Sequence, residues 1–272
     1  MIMYIRKRPN TAYFLITFGW TWMLVFALII SGLVQDVNKP TLAFILVGLL
    51  CNISPSIAAF IVTRITRGKE GTEALIANFK KKTARRRILI VLAIVPSATI
   101  LTTVISHSVI HEYQFALTIP LILMGLIWPL FSSFGEEFGW RGYILPQLLA
   151  RFTPLQSGII LGVIWEIWHL PMHYIGYKSY GQFMIPAFIL ILITMTLHAV
   201  IMTMIYIKTG GALKLMILYH WTITGSSILL GGFLQTDVMT KYSIQESIIT
   251  ALILFVIAMM MNVKKLENNR GW

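Results

Sequence analysis

The chain has 272 residues, of which 57% are hydrophobic and only 12% are charged, and its mean hydropathy is +0.78. Soluble domains carry about 25% charged residues, so this composition excludes a soluble enzyme and a disordered chain. A single cysteine, Cys51, excludes an internal disulfide and a cysteine metal cluster. The net charge of +12 is expected to report membrane topology.

Apolar stretches of about 20 residues predict transmembrane helices. We expect a single integral membrane domain over residues 1–272, with an all-α polytopic fold and about eight spans. In chain order these are 13–34, 41–63, 88–106, one within 117–150, 157–175, 184–207, 213–233 and 247–263. The motifs described below all lie within residues 117–233, which we interpret as the functional core.

The Lys and Arg residues test this topology. Of the 22, 18 fall on the side of the two termini, three fall on the other side, and Arg141 lies within a helix. The positive-inside rule therefore predicts cytoplasmic N and C termini and a cytoplasmic loop at 64–87. We interpret the basic run at 80–87 as a topology anchor in preference to a site for anionic lipid headgroups. No motif that reads nucleic acid accompanies it, so we expect no nucleic-acid partner.

Residues 135–143, GEEFGWRGY, place ionisable groups in an apolar segment. Ionisable residues inside a membrane are costly and by default indicate function. Glu137 and Arg141 are four residues apart and can pair on one helix face. Glu136 points about 100° away and lacks this partner, which suits a general base. The structural alternative is a static ion pair with one spare acid.

The segment 117–150 is too long for a straight crossing. As one α-helix it would measure about 51 Å, against a hydrocarbon core of about 30 Å. We therefore expect the helix to tilt, to leave the membrane, or to bend near a helix-disrupting residue: Pro129, Gly135, Gly139 or Pro146.

The next predicted span contains Glu166, His169 and His173 at steps of three and four residues, which places them on one helix face. The turn at 151–154 lies midway between Glu136 and His169. Two antiparallel helices joined by this turn place these two side chains at similar depth. We expect them to meet.

A second pair of histidines follows the same rule. His198 and His220 are equidistant from the turn at 208–211, and Thr224 and Ser227 extend a polar stripe from His220. The spans that carry these residues are therefore expected to converge with Glu136 on one polar pocket.

Two hydrolytic mechanisms stay open for Glu136, His169 and His220. Without a metal, Glu136 takes a proton from a water that His169 orients, and His220 donates to the oxyanion. With a divalent metal such as zinc, the same three side chains are a ligand set that leaves one position for water. Either mechanism hydrolyses an amide bond.

Three stretches, GEEFGWRGYILPQL, WEIWHLP and LYHWTITGS, resemble the motifs of the CAAX-protease and bacteriocin-processing (CPBP, or Abi) intramembrane proteases. The family motifs are Glu-Glu-x-x-x-Arg, aromatic-x-x-x-His and His-x-x-x-Asn, and the resemblance covers about residues 135–224. The residues that match are Glu136, Glu137, Arg141, Trp165, His169 and His220.

The resemblance implies that Glu136 and His169 activate water and that His220 stabilises the oxyanion. Thr224 departs from the family, which has Asn there; it keeps a hydroxyl donor, and Ser227 is the candidate substitute. We expect five residues to support the catalytic three: Glu137, Arg141, Thr224, Glu166 and His198. Glu166 either orients the His169 ring or lines a polar pocket, and His198 matches no motif of the family.

The functional expectation is an intramembrane metallo- or glutamate-type protease of a bacterial cell membrane. Its substrate is expected to be a membrane-embedded or lipidated peptide, and its immediate surroundings are the lipid bilayer. The alternative is a non-catalytic bacteriocin immunity or scaffold protein that binds a peptide in the same pocket. A proton-coupled transporter is a third interpretation, which the lack of recognisable inverted repeats disfavours. The sequence does not define the oligomeric state.

Overall fold

The computed structural model describes residues 1–33, 41–109, 118–231 and 236–260, and all regular structure within them is helical. The predicted all-α fold is therefore confirmed. The α-helices are α1 (Ile2–Lys7), α2 (Pro9–Ile30), α3 (Leu42–Asn52), α4 (Ser54–Lys80), α5 (Arg85–Val109), α6 (Ile119–Gly139), α7 (Leu145–Leu149), α8 (Pro154–Tyr177), α9 (Met184–Lys208), α10 (Leu213–Gly231) and α11 (Thr236–Met260). A π-helix, Trp140–Ile144, joins α6 to α7, and a 3₁₀-helix, Lys178–Phe183, joins α8 to α9.

Five helical stretches within the described residues are long and apolar enough to cross a membrane. They are Pro9–Ile30, Leu42–Lys80, Arg85–Ile105, Ile119–Leu149 and Gly181–Lys208, and a shorter apolar helix covers Ser247–Met260. Each predicted span overlaps a helix, but length and composition do not confirm the number eight. The count of eight crossings and the cytoplasmic orientation of the termini stay predictions.

Large apolar side chains stay exposed on the outward faces of these helices. Examples are Met23 at 67%, Ile185 at 65% and Leu252 at 62% exposed. Such exposure is unfavourable in water but not in hydrocarbon, because lipid chains solvate apolar groups. The helical bundle is therefore a polytopic membrane fold.

The prediction of a loop over 64–87 is wrong for most of that segment. Helix α4 continues to Lys80, interrupted only at Gly68, whose φ of 68° is left-handed. Residues 81–84 are the non-helical part. Leu75 is buried in the hydrophobic core, so the polar end of α4 has an apolar contact that holds it against the bundle.

The long helix that carries GEEFGWRGY departs from regular α-helix geometry at Gly139, one of the four residues where we predicted a bend. Helix α6 ends at Gly139, and the next residues form the π-helix Trp140–Ile144. The backbone N–H of Trp140 reaches the carbonyl groups of both Glu136 and Glu137. Single π-turns inside helices occur frequently at functional sites. Here the π-turn begins three residues after Glu137.

Two glycines of α6 let its backbone touch the junction of α3 and α4. A Cβ added at Gly135 would lie 2.5 Å from the carbonyl oxygen of Asn52, and one at Gly139 would lie 2.5 Å from the backbone of Pro55. Because these glycines are four residues apart, they form one small-residue face. Glu136 and Glu137 lie between these glycines in sequence. Their side chains therefore point away from the α3–α4 junction and into the bundle.

Helices α8 and α9 approach each other in the same way. A Cβ at Gly158 would lie 2.8 Å from the Cα of Val200, and one at Gly162 would lie 2.5 Å from the Cα of Thr196. Thr153 and Gln156 exchange hydrogen bonds with each other's backbone N–H groups at the start of α8, as in a capping box. The predicted turn at 151–154 is thus confirmed, and α8 is fixed on α9.

We expect Gly135→Ala to destabilise the protein by about 1–3 kcal/mol, because the new methyl group meets backbone atoms that cannot move aside. Gly19→Ala is the control, since no atom lies within 4 Å of a Cβ there. Thermal unfolding of the two purified variants in detergent measures the difference. Equal unfolding temperatures would contradict the close approach of α6 to the α3–α4 junction.

Candidate active site

The indole of Trp165 lies at the centre of the candidate active site and is 1% exposed. Its Nε1–H donates a hydrogen bond of 2.7 Å to Oε2 of Glu136. The guanidinium carbon of Arg141 lies 4.2 Å from the ring centroid, which is cation–π geometry. The ring centroid lies 5.1 Å from that of His220 and 6.0 Å from that of His169. One side chain of α8 thus contacts the acid, the guanidinium and both imidazoles.

Glu137 is shared by two donors. Nη1 of Arg141 donates to Oε1 of Glu137 at 2.8 Å, and Nδ1 of His220 lies 2.8 Å from the same oxygen. The side chains of Glu137 and Arg141 are fully buried, and that of His220 is 5% exposed. Since a carboxylate only accepts, Nδ1 of His220 carries the proton. The expected pair of Glu137 and Arg141 forms, and it also binds α6 to α10.

The ring of His169 is oriented by the backbone of its own helix. Nδ1 lies 3.0 Å from the carbonyl oxygen of Trp165 and donates to it, because a carbonyl oxygen only accepts. In the neutral ring Nε2 then holds the lone pair. The Trp168 ring packs edge-on at 4.5 Å, and its Nε1–H donates to Oγ1 of Thr21 on α2. Two tryptophans therefore fix the rotamer of His169.

Glu166 contacts a different histidine from the one expected. Its Oε1 accepts a 2.7 Å hydrogen bond from Nδ1 of His173, and the His173 ring stacks on that of His169 at 5.2 Å. Glu166 therefore contacts His173, which in turn stacks on the ring of His169. The spacing of seven residues between Glu166 and His173, two helical turns, is the sequence signal for this pair.

His198 points to another part of the bundle. Its Nδ1 lies 3.1 Å from the hydroxyl of Tyr219, and its side chain lines a cavity of about 160 Å³ together with Thr194 and Ser227. We expected His198 and Glu136 to line one pocket. The structure instead links His198 to Tyr219, which precedes His220 on α10. Thr224 is half-buried one turn after His220, whereas Ser227 faces the His198 cavity.

The arrangement of donor atoms bears on the metal option. Among the described residues, no group of three or more His, Cys, Asp or Glu side chains is placed to hold a metal ion. Oε2 of Glu136 and the Nδ1 atoms of His169 and His220 each have a hydrogen-bond partner. Within the described ranges, Oε1 of Glu136 and the two Nε2 atoms are left without a partner of this kind, but the three side chains are not placed around one ion, so we assign no chemical step to a metal. Metal dependence stays a prediction.

We expect Glu137→Gln to lower the free energy of unfolding by about 3–5 kcal/mol, because it leaves the Arg141 guanidinium buried without its anion. The control is Glu73→Gln, which breaks an exposed pair with Lys69 and costs at most about 1 kcal/mol. Denaturant titration of the purified variants in detergent measures both. Equal losses in the two variants would show that Glu137 does not hold a buried charge network.

Two comparisons with known proteins bear on these residues. Residues 118–226 match the family model described as type II CAAX prenyl endopeptidase Rce1-like. The chain is also 23% identical over 261 residues to CAAX prenyl protease 2 of Methanococcus maripaludis, which covers 88% of this chain and 91% of that relative. The matched segment contains Trp165 and the side chains described around it: Glu136, Glu137, Arg141, His169 and His220. Residues 118–226 are therefore similar to the Rce1-like CAAX prenyl endopeptidases, and the resemblance identified from the three motifs is confirmed.

Proposed function

We propose that this chain is an intramembrane endopeptidase in which Glu136 and His169 activate water and His220 stabilises the oxyanion. The observation that carries the proposal is the convergence of these side chains around the Trp165 indole, inside a segment that matches a protease family. A carboxylate and two imidazoles in a buried, apolar site are the groups that amide hydrolysis by water requires.

The water is activated between Glu136 and His169. The Trp165 N–H occupies Oε2 of Glu136, so Oε1 is the atom that takes the proton from water. Nε2 of His169 accepts the second hydrogen of that water and thereby directs its lone pair at the substrate carbonyl. After attack, Glu136 returns its proton to the amide nitrogen, and the C–N bond breaks as the amine leaves.

The oxyanion is stabilised from α10. Glu137 accepts from Nδ1 of His220, so the opposite nitrogen, Nε2, faces away from the carboxylate. When the ring carries both protons, Nε2–H donates to the negative oxygen of the tetrahedral intermediate. Arg141 donates to Glu137 and holds its carboxylate in place beside His220. The hydroxyl of Thr224, one turn later, is the second donor.

The substrate that suits this site is a peptide segment held at the membrane. Water has to reach a carboxylate in the bundle interior, so the enzyme needs a wet cavity that admits an extended peptide from the membrane boundary. The M. maripaludis relative is named a CAAX prenyl protease. A lipidated C-terminal tail is accordingly the first substrate to test, ahead of bacteriocin-like peptides and signal-peptide remnants. We further propose that the termini face the cytoplasm of a bacterial cell.

We expect the purified protein to cleave an internally quenched peptide, and Glu136→Gln and His169→Asn each to lower the turnover by about 10²- to 10⁴-fold. Each variant removes a proton acceptor: Gln keeps the size of the Glu side chain, and Asn keeps an N–H donor for the Trp165 carbonyl in place of Nδ1. Fluorescence release measured with prenylated and unmodified peptides in parallel gives the rates and the substrate class.

Glu73→Gln is the matched control, because Glu73 is an exposed carboxylate far from Trp165 in sequence. We expect this substitution to leave the turnover unchanged. Peptide binding without cleavage by the unsubstituted chain would contradict the proposal and favour the scaffold alternative. Metal content and chelator sensitivity of the same preparation decide between the metal-dependent and metal-free mechanisms.

One specific observation favours the scaffold alternative: Thr224 stands where the family motif has Asn. For an enzyme, we expect Thr224→Asn to raise turnover by about tenfold and Thr224→Val to lower it, because oxyanion donors act on the transition state. Ser227→Ala should leave the rate unchanged, since Ser227 lines the His198 cavity. A rate that falls with Ser227→Ala and not with Thr224→Val would assign the donor to Ser227.

A further inference from the structure

A cavity of about 650 Å³ lies between the two helix-connecting turns at 150–153 and 209–212. Its wall includes Arg151, Phe152 and Gln156 from the first turn and the start of α8, and Tyr206, Gly210 and Gly211 from the end of α9 and the second turn. None of its lining residues belongs to the candidate active site. Its volume is in the range of cavities that bind small molecules.

Lys81 contacts the wall of this cavity at Gly210. Its Nζ donates a 2.6 Å hydrogen bond to the carbonyl oxygen of Gly210. A Cβ added at Gly211 would lie 3.1 Å from the Tyr206 hydroxyl and 3.4 Å from Lys81 Nζ, and Gly211 has a φ of 79°. The ammonium and the hydroxyl therefore lie close to the turn, and the left-handed φ at 211 favours glycine there.

The charge of this end of the bundle is positive. Lys81 and Arg151 are exposed cations, and no acidic residue lines the cavity in the part of the chain that the structure describes. Further cations follow Lys81 in the run at 80–87. A cavity with a cationic rim and no carboxylate attracts an anion, and phosphate groups bind Lys and Arg through charge-assisted hydrogen bonds.

An apolar strip leads away from the same cavity along α8. Phe152, Leu155 and Ile159 follow steps of three and four residues, and they are 43%, 37% and 42% exposed. Phe152 is also part of the cavity wall. The strip therefore runs from a cationic cavity at a helix end along the outer face of a membrane helix. This is the arrangement that an acyl chain attached to a phosphate headgroup requires.

We propose that this cavity binds the headgroup of an anionic phospholipid. The phosphate lies against Lys81 and Arg151, the remaining headgroup atoms fill the space between the two turns, and one acyl chain follows Phe152, Leu155 and Ile159. The positive-inside pattern predicts that this end faces the cytoplasmic leaflet, where anionic lipids are available. The site is independent of the proposed peptidase activity.

The test uses the full chain in uncharged detergent, titrated with dihexanoyl phosphatidylglycerol, dihexanoyl phosphatidylcholine and inorganic phosphate, and followed by native mass spectrometry. We expect phosphatidylglycerol to bind at least about tenfold more tightly than either of the other two, because only it supplies both a net negative charge and acyl chains. Arg151→Gln and Lys81→Gln should each weaken it about tenfold. Lys69→Gln, an exposed lysine paired with Glu73, is the control and should leave binding unchanged.

Arg151 is exposed, so its substitution leaves the fold intact and the result for this variant alone decides. Equal binding of the two lipids, or binding unchanged by Arg151→Gln, would overturn the proposal. Inorganic phosphate that binds as tightly as phosphatidylglycerol would overturn the lipid assignment, because the acyl strip would then contribute nothing. Loss of phosphatidylglycerol binding in Leu155→Ser with phosphate binding retained would support it.

Discussion

The carboxylate of Glu137, held between a guanidinium and an imidazole, is the interaction on which the interior of this protein depends. An isolated charge in an apolar interior costs several kcal/mol, so Arg141 and Glu137 are tolerated there only together. Nδ1 of His220 completes the set from another helix. The requirement that these partners meet fixes the rotation of α6 and α10 about their axes, and that rotation directs Glu136 toward Trp165.

Close contact of helix backbones makes the short distances at this site possible. Gly135 and Gly139 seat α6 on the α3–α4 junction, and Gly158 and Gly162 seat α8 on α9. Within a membrane, helices gain no hydrophobic driving force from meeting each other, so small residues that allow tight packing carry much of the association. The polar cluster lies between two such contacts. A glycine-mediated approach therefore supports a polar cluster formed by residues on other faces of the same helices.

Composition and periodicity were sufficient to predict the helical fold. Turn positions predicted that Glu136 and His169 meet; both contact Trp165, and within the described residues no hydrogen bond joins them directly. The four-residue spacing also predicted the Glu137–Arg141 pair. Trp165 was recognised only as the aromatic member of a motif, since the direction of an indole N–H depends on the rotamer and on the neighbouring helix. The helix over 64–80 was missed because exposed, charged helices and loops share their composition.

The indole of Trp165 contacts the Glu136 carboxylate, the Arg141 guanidinium and both imidazoles. The backbone carbonyl of the same residue accepts a hydrogen bond from His169. Groups joined through a common neighbour respond to substitution as a unit, and their effects do not add. Changes at any two members of this set should therefore cost less together than the sum of their separate effects. Attempts to alter the specificity of this chain by stepwise substitution have more freedom on the outer helices than around position 165.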